Sequence, residues 1–451
     1  MLVAQILAIV IFLAMFIAII IGRVHRYIPA LIGAGFTILV VFLIVLRDPE
    51  TVVRVLNLGQ LIELDFWLPR GAHVESQGVN WQTMVFIGGM MVMVEGLGEV
   101  GFFRWLCLYL ARLVRCRVIP ILLVFMVLSG FLSMFIDSIT VMLFLATVTV
   151  ELSRMLKFDP VPVIIAEIFA SNTGGSATMS GDPPNIIIGT ALNYTFADFA
   201  TNTGPIAWIG MVIALVFFYL VFRKLLTQAG DSEELLRLCP VPQTAITNPR
   251  MFRINTGIFI LVVVLLVTHA ETGLSVAIIG VIAALLTLLF SGRVAGHLMK
   301  RVDCRTLPFF FGLFVTVGGM EETGVLKVVA GYIGDMSGGS IFLVIPIILY
   351  LSAFSSAIVD NIPFAAVMVP VIKQLALTSG FNLPTLAWTL ALGTDIGGNA
   401  TPIGASANVV GTAIAEREGH RISWGRYMKY AVPATLIVIV VCHLLLLARY
   451  S

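Results

Sequence analysis

Charge is scarce in this chain. Asp, Glu, Lys and Arg make up 12% of the 451 residues, against 59% hydrophobic residues and a mean hydropathy of +1.03. A soluble protein of this length cannot hide that much apolar surface, so its solvent is a lipid bilayer. The formal net charge of +2 is small and no basic run is present, which excludes nucleic acid as a partner. The cysteines Cys107, Cys116, Cys239, Cys304 and Cys442 are scattered without a CxxC pair, so neither a zinc site nor a disulfide framework is expected. The histidines are equally dispersed; His25, His297 and His420 lie beside charged loops, and His269 and His443 are lone residues near span ends. There is no GxxxxGK[ST] stretch and no soluble domain to hold a nucleotide, which excludes an ATP-driven pump. No Ser/His or paired-Asp motif has the context of an intramembrane protease. No enzymatic activity, metal or cofactor is expected. The first apolar run, Leu2 to Ile21, lacks the basic n-region and small-residue cleavage site of a signal peptide, and is too long for its h-region. It is read as a retained helix.

What the chain does contain is a repeat at an offset of 223 residues. Gly174, Gly175, Ala177, Thr178, Gly181 and Asn185 recur as Gly397, Gly398, Ala400, Thr401, Gly404 and Asn408. The same offset pairs Gly96, Glu99 and Gly101 with Gly319, Glu322 and Gly324, and Ser129, Ser133 and Asp137 with Ser352, Ser356 and Asp360. In a membrane protein, a long ungapped repeat points to a transporter with its substrate site between two halves.

Apolar runs long enough to cross a bilayer lie at about 2–22, 27–46, 203–222, 254–269, 272–290 and 427–448. Segments 81–113 and 306–334 are interrupted, with breaks expected at Gly96-Leu97-Gly98 and Gly318-Gly319. Segments 161–195 and 385–416 break at the two repeated Gly-rich stretches. Segments 118–156 and 341–379 are each long enough for two passes and carry Asp137 or Asp360 at the middle. They read as hairpins that enter and leave on one side; two full spans with a tight loop are the alternative, which periodicity does not separate. The expected fold is therefore an all-α polytopic membrane protein. It is an inverted repeat of two five-span halves, each with a re-entrant helical hairpin and a broken helix, giving about ten spans and two hairpins. Residues 1–224 form the first half, 225–252 a cytoplasmic linker with Asp231, Glu233, Glu234 and Pro240 to Pro242, and 253–451 the second.

Basic residues divide unevenly under this scheme. Arg23, Arg26, Arg112, Arg115, Arg117 and Arg154 are among the many on one side, while the other receives only Arg47, Arg54, Arg70, Lys373 and Arg449. By the positive-inside rule the first set is cytoplasmic and both termini are outside. A bacterial inner membrane is the expected location. The external loop from Arg47 to Asn80 carries Glu63-Leu-Asp65-Phe-Trp67, a stretch suited to the interface.

Broken backbone at mid-membrane must line a cavity or be buried in protein. The helix starts beyond the breaks present free N–H groups to an anion. Backbone carbonyls at Gly174, Gly175, Gly397 and Gly398, and the hydroxyls of Thr178, Thr401 and Ser406, suit a small cation instead. The sign of the ligand stays open. Asn185 and Asn408 either contact the ligand or only cap a helix. Ser138 and Asn361 sit beside Asp137 and Asp360 at the hairpin tips. Capping alone explains these acids, but an acid far from either surface is costly and points to function. Asp395 is a third acid, standing where the first half has Asn172. Asp137, Asp360 and Asp395 are the candidates for ion or proton coupling, and the second half, holding two of them, is the better seat. Asp182, in an Asp-Pro-Pro context, also fits a simple turn. Glu95, Glu99, Glu321 and Glu322 flank Gly turns, and Arg104 and Lys327 follow Glu99 and Glu322 by five residues; structural ion pairs near helix ends are expected.

In the two stretches Gly174 to Asn185 and Ile396 to Val410, supported by Phe135 to Thr140 and Val359 to Pro363, the chain resembles the ion transporter superfamily. The branch it is most similar to holds the ArsB/NhaD permeases and the melanosomal P protein. The resemblance covers nearly the whole chain. It implies a scaffold domain and a transport domain, the latter at approximately 118–195 and 341–416, moving across the membrane as an elevator. It implies a small inorganic ion or metalloid as substrate, with a proton or sodium as the coupling ion; a homodimer is compatible with it. The carboxylate branch typically has Ser-Asn-Thr at its hairpin tips, and the acids here disfavour a polyanion. Neutral As(OH)3 suits hydroxyl and amide ligands, so proton-coupled arsenite or antimonite efflux comes first. Sodium/proton antiport follows, then carboxylate or inorganic anion transport, with an anion channel as the rival of another class.

Overall fold

The computed structural model describes residues 1–68, 78–226 and 232–450. Arg70 and Asp231, placed above in a loop and the linker, lie outside these residues, and so do the side chains of Glu233 and Glu234. Where apolar sequence runs without interruption the backbone has only itself to bond to, and the described residues are helical almost throughout. The first half contains α1 (Leu2–Ile21), α2 (Tyr27–Leu46), α3 (Trp81–Glu99), α4 (Phe102–Leu113), α5 (Val118–Leu132), α6 (Ser138–Leu156), α7 (Val161–Gly175), α8 (Pro183–Leu192) and α9 (Phe196–Phe222). The second contains α10 (Pro249–Thr272), α11 (Val276–Ser291), α12 (Thr306–Glu322), α13 (Val325–Ser337), α14 (Ile341–Ile358), α15 (Asn361–Ser379), α16 (Leu383–Gly397), α17 (Ser406–Arg417) and α18 (Trp424–Tyr450). Side chains of Asn80, Asp137, Thr195, Asn248, Ser275, Asp360 and Asn382 accept from first-turn N–H groups and so fix where seven of these helices start.

Eight helices are individually long and apolar enough to cross a membrane, or up to ten if each of two bent pairs counts as one span. The eight include the hairpin arms α6, α14 and α15. In chain order the expected plan is present in both halves. Each has straight helices, then an interrupted helix (α3–α4 or α12–α13), an antiparallel hairpin (α5–α6 or α14–α15), a broken helix (α7–α8 or α16–α17) and a final long helix. The second bent pair joins the short helix Ala295–Arg301 to α12 at 47°.

Three expectations need correction. The bent helices do not break at Gly96 to Gly98 or at Gly318-Gly319. α3 and α12 run through those glycines, of which Gly96 faces Thr287, Gly98 Phe144, Gly318 Val55 and Gly319 Thr37 at distances that leave no room for a Cβ. The breaks fall at Gly101 and Gly324, whose φ of +80° and +78° suit glycine alone. Beyond the first, α4 turns by 58° and buries one face (Phe102, Phe103, Cys107, Leu108, Ala111). Second, Arg104 and Glu99 do not pair, because the break at Gly101 turns α4 away from the end of α3. Arg104 binds Glu151, Glu95 and Glu99 both meet Arg301 at 3.5 and 2.7 Å, and Glu322 meets Arg54 at 2.9 Å. Third, Cys116 and Cys239 form a disulfide across 123 residues of sequence. The turn after α4 folds back over the linker, and no local spacing announces that.

Candidate functional site

Each break is built the same way. α7 ends at Gly175 and α8 starts at Pro183; α16 ends at Gly397 and α17 starts at Ser406. Inside the next helix, Asn185 Nδ2 reaches back to the carbonyls of Gly175 and Thr178, both at 3.1 Å. Asn408 Nδ2 does the same to Gly398 and Thr401, both at 2.7 Å. Neither asparagine is the cap; those positions belong to Asp182 and Ala405. They brace the loops, satisfying carbonyls that a broken helix leaves without donors. Thr178 Oγ1 donates to Met134 O and Thr401 Oγ1 to Ala357 O, tying each break to the tip of its own hairpin. Gly174 and Gly397 lie within helices, and a Cβ on them would sit 2.2 Å from Gly130 O and 2.2 Å from Ala353 Cα on the hairpin arms. Their role is close packing. Gly175 and Gly398 contribute the carbonyls that the asparagines hold.

The tips and breaks converge on Asp182. Its Oδ1 accepts from Ser138 Oγ of the first tip, and its Oδ2 accepts from Asn361 Nδ2 of the second at 2.7 Å. Asp395 on α16 places its carboxyl beside those of Asp182 and the amide of Asn185. Asp395 is fully buried, and neither of its oxygens receives a hydrogen bond. Asn185 Oδ1 and Asn172 Oδ1 are likewise buried acceptors without a donor. Asn172 Nδ2 crosses between the halves to Asn399 Oδ1 at 2.9 Å and Asn408 Oδ1 at 2.8 Å. Buried acceptors without donors are costly, and a proton or a cation would satisfy them. Among the described residues no three His, Cys, Asp or Glu side chains group as metal ligands.

The two tip acids differ from each other. Asp137 bonds the N–H and hydroxyl of Thr140, at 3.0 and 2.7 Å, and so caps α6. Asp360 caps α15 through Ile362 N, while its Oδ2 meets Arg26 Nη1 at 3.2 Å and Ser406 Oγ at 3.1 Å. Arg26, Asp360 and Ser406 line a cavity of about 610 Å3 between the α1–α2 corner and the second hairpin. Arg26, Asp137, Ser180 and Thr306 line a smaller one beside the first tip.

Three of these residues escape a reading of the sequence. Arg26 looks like one more basic loop residue. Asp182 looks like a turn, and Glu167 lies inside a helix. Glu167 is fully buried on α7, accepts from Thr149 Oγ1 and leaves Oε2 without a partner. Comparing the halves would have exposed both acids, since Asp182 stands opposite Ala405 and Glu167 opposite Leu390.

The chain matches a family model described as citrate transporter, CitMHS, over residues 16–393. Two uncharacterized transporters of Mycobacterium tuberculosis are 31% identical to it over 376 residues, covering 83% of this chain and 87% of theirs. The human P protein is 28% identical over 500 residues, covering 91% of this chain and 59% of its own length. Two solved structures share the fold: the YdaH transporter of Alcanivorax borkumensis (TM-score 0.57, 15% identity, 89% of each chain) and MtrF of Neisseria gonorrhoeae (TM-score 0.57, 12% identity, 99% of this chain and 95% of that one). Broken helices crossing between hairpin tips, in a chain with these relatives, define a secondary transporter of the membrane. The chain belongs to the CitMHS citrate transporter family, within the ion transporter superfamily.

Proposed function

We propose that the protein is a proton-coupled carrier and that the Asp182–Asp395 pair is the seat of coupling. The observation that carries this reading is Asp395, a buried carboxyl without a donor, set against Asp182 where both hairpin tips meet. One proton shared between the two carboxyls supplies the donor that the site otherwise lacks. The moving body comprises residues 118–195 and 341–416, the remainder is scaffold, and the motion is of the elevator type. The linker and the α1–α2 corner face the cytoplasm of a bacterial cell, and both termini face outward.

Arsenite or antimonite efflux is the leading substrate reading. Ser180, Ser406 and Thr306 offer hydroxyls to a neutral trihydroxide, and the charge of Arg26 is matched by Asp360. Anion transport is the second reading, favoured by Arg26 itself. The acid at the second tip argues less strongly against a polyanion once it is held by a guanidinium. Sodium as the coupling ion is favoured by the free Asn185 Oδ1 beside Asp395.

The test is accumulation in everted vesicles with and without an imposed proton gradient, for arsenite, sodium and citrate in turn. Gradient-dependent arsenite accumulation is expected. Gradient-dependent movement of citrate or sodium alone would replace the substrate and leave the coupling, whereas current without counterflow would make the protein a channel.

A further inference from the structure

Arg26 belongs to no repeat. The equivalent position in the second half is Pro249, and among the described residues no arginine bonds Asp137, the counterpart of Asp360, although Arg26 shares a cavity with it. The side chain of Arg26 nevertheless bridges two parts of the fold. Nη2 donates to Thr306 Oγ1 at 3.3 Å and the guanidinium lies over the Phe309 ring at 4.9 Å, both on α12, which packs along α2. Nη1 donates to Asp360 Oδ2 at 3.2 Å and to Ser406 Oγ at 2.9 Å, at the second hairpin tip and at the start of α17. Ser406 Oγ also reaches Asp360, so the three groups close a triangle. The ion pair is only partly open to solvent, with side-chain exposures of 27% and 16%.

We infer that Arg26 is a latch between scaffold and transport body, holding the conformation seen here and opening whenever the two bodies part. The inference rests on the two-body reading given above. It gives Asp360 a different task from Asp395. Asp360 is held from outside the moving body, and Asp395 is enclosed within it. A hairpin tip tied on one side only also explains why the two repeats, alike in their breaks, differ at their tips. Arg26 acts through Asp360 and Ser406 and is a positioning residue.

Pulsed electron–electron distance measurement tests this without knowledge of the substrate. Spin labels go on Arg23→Cys in the scaffold and Arg417→Cys in the moving body, both exposed, with the exposed Cys304 replaced by Ser. The wild type is expected to populate mainly one distance. Arg26→Asp and Asp360→Arg should each lower the ratio of that population to the others about fivefold, the effect of losing a partly exposed ion pair. The double exchange should restore it. Arg26→Gln serves where Arg26→Asp does not yield folded protein by gel filtration, with the same fall expected. Two distances in the wild type whose proportions ignore Arg26 would overturn the latch, as would a double exchange that restores nothing. One unchanging distance in every variant and at every pH would overturn the two-body reading itself.

Discussion

At the scale of single residues, Asn185 and Asn408 show how a type can be legible while its task is not. The repeat marks both, and helix-start statistics suggest capping. In the fold each donates to two buried carbonyls of its own loop, and Asn408 also accepts from Asn172. Leaving such carbonyls without a donor costs about 1–3 kcal/mol for each group stranded. Asn408→Ala is therefore expected to lower stability by about 3 kcal/mol, and Asn185→Ala by about 2 kcal/mol, in thermal unfolding in detergent. Unchanged melting of Asn408→Ala would show that the loop holds its shape by other means. Asp395 was legible because it replaces an asparagine of the other half. Its neighbour Asp182 was not, because an Asp-Pro-Pro turn explains the residue locally. Only the fold brings Ser138 and Asn361 to it from positions 44 and 179 residues away.

Elements were legible wherever composition alone decides them. The long apolar runs are helices, and the hairpins turn where Asp137 and Asp360 cap their returning arms. The bends were misplaced because a glycine has two uses, and sequence does not say which. Gly101 and Gly324 supply a left-handed residue, while Gly96 and Gly319 supply room for a neighbouring threonine. Packing of the hairpins on the broken helices depends on the second use. Gly397→Ala would press a Cβ against the Ala353 backbone and is expected to cost roughly 1–3 kcal/mol in thermal unfolding. Gly257→Ala on α10 meets nothing within 4 Å and is expected to be neutral, or to gain up to about 1 kcal/mol of helix propensity. Equal effects at the two positions would contradict the close packing of α14 on α16. Arg154–Glu418 and Arg426–Asp159 are half-exposed, and losing either is expected to change stability by less than about 1 kcal/mol.

For the whole molecule, the disulfide and the charge pattern bear on each other. The orientation proposed from the basic residues would put the Cys116 turn and the linker inside the cell, where thiols are kept reduced. On the proposed orientation, Cys116 and Cys239 should be alkylated as free thiols when cells are treated before lysis, and should bridge only after purification in air. A bridge already present in intact cells would place the linker outside and invert the topology. Coupling, on the proposed mechanism, is also a property of the whole, since Asp395, Asp182 and both tips come from four separate segments. In Asp395→Asn the amide would donate permanently where the proposed proton comes and goes, so the movement is expected to remain while its link to the proton is lost.

The most direct measurement is therefore substrate flux in proteoliposomes for wild type and Asp395→Asn, once driven by an imposed pH gradient and once as exchange with substrate on both sides. Gradient-driven accumulation lost in the variant, with exchange retained, is the expected result. Accumulation by Asp395→Asn at the wild-type level would contradict the assignment of coupling to the Asp182–Asp395 pair.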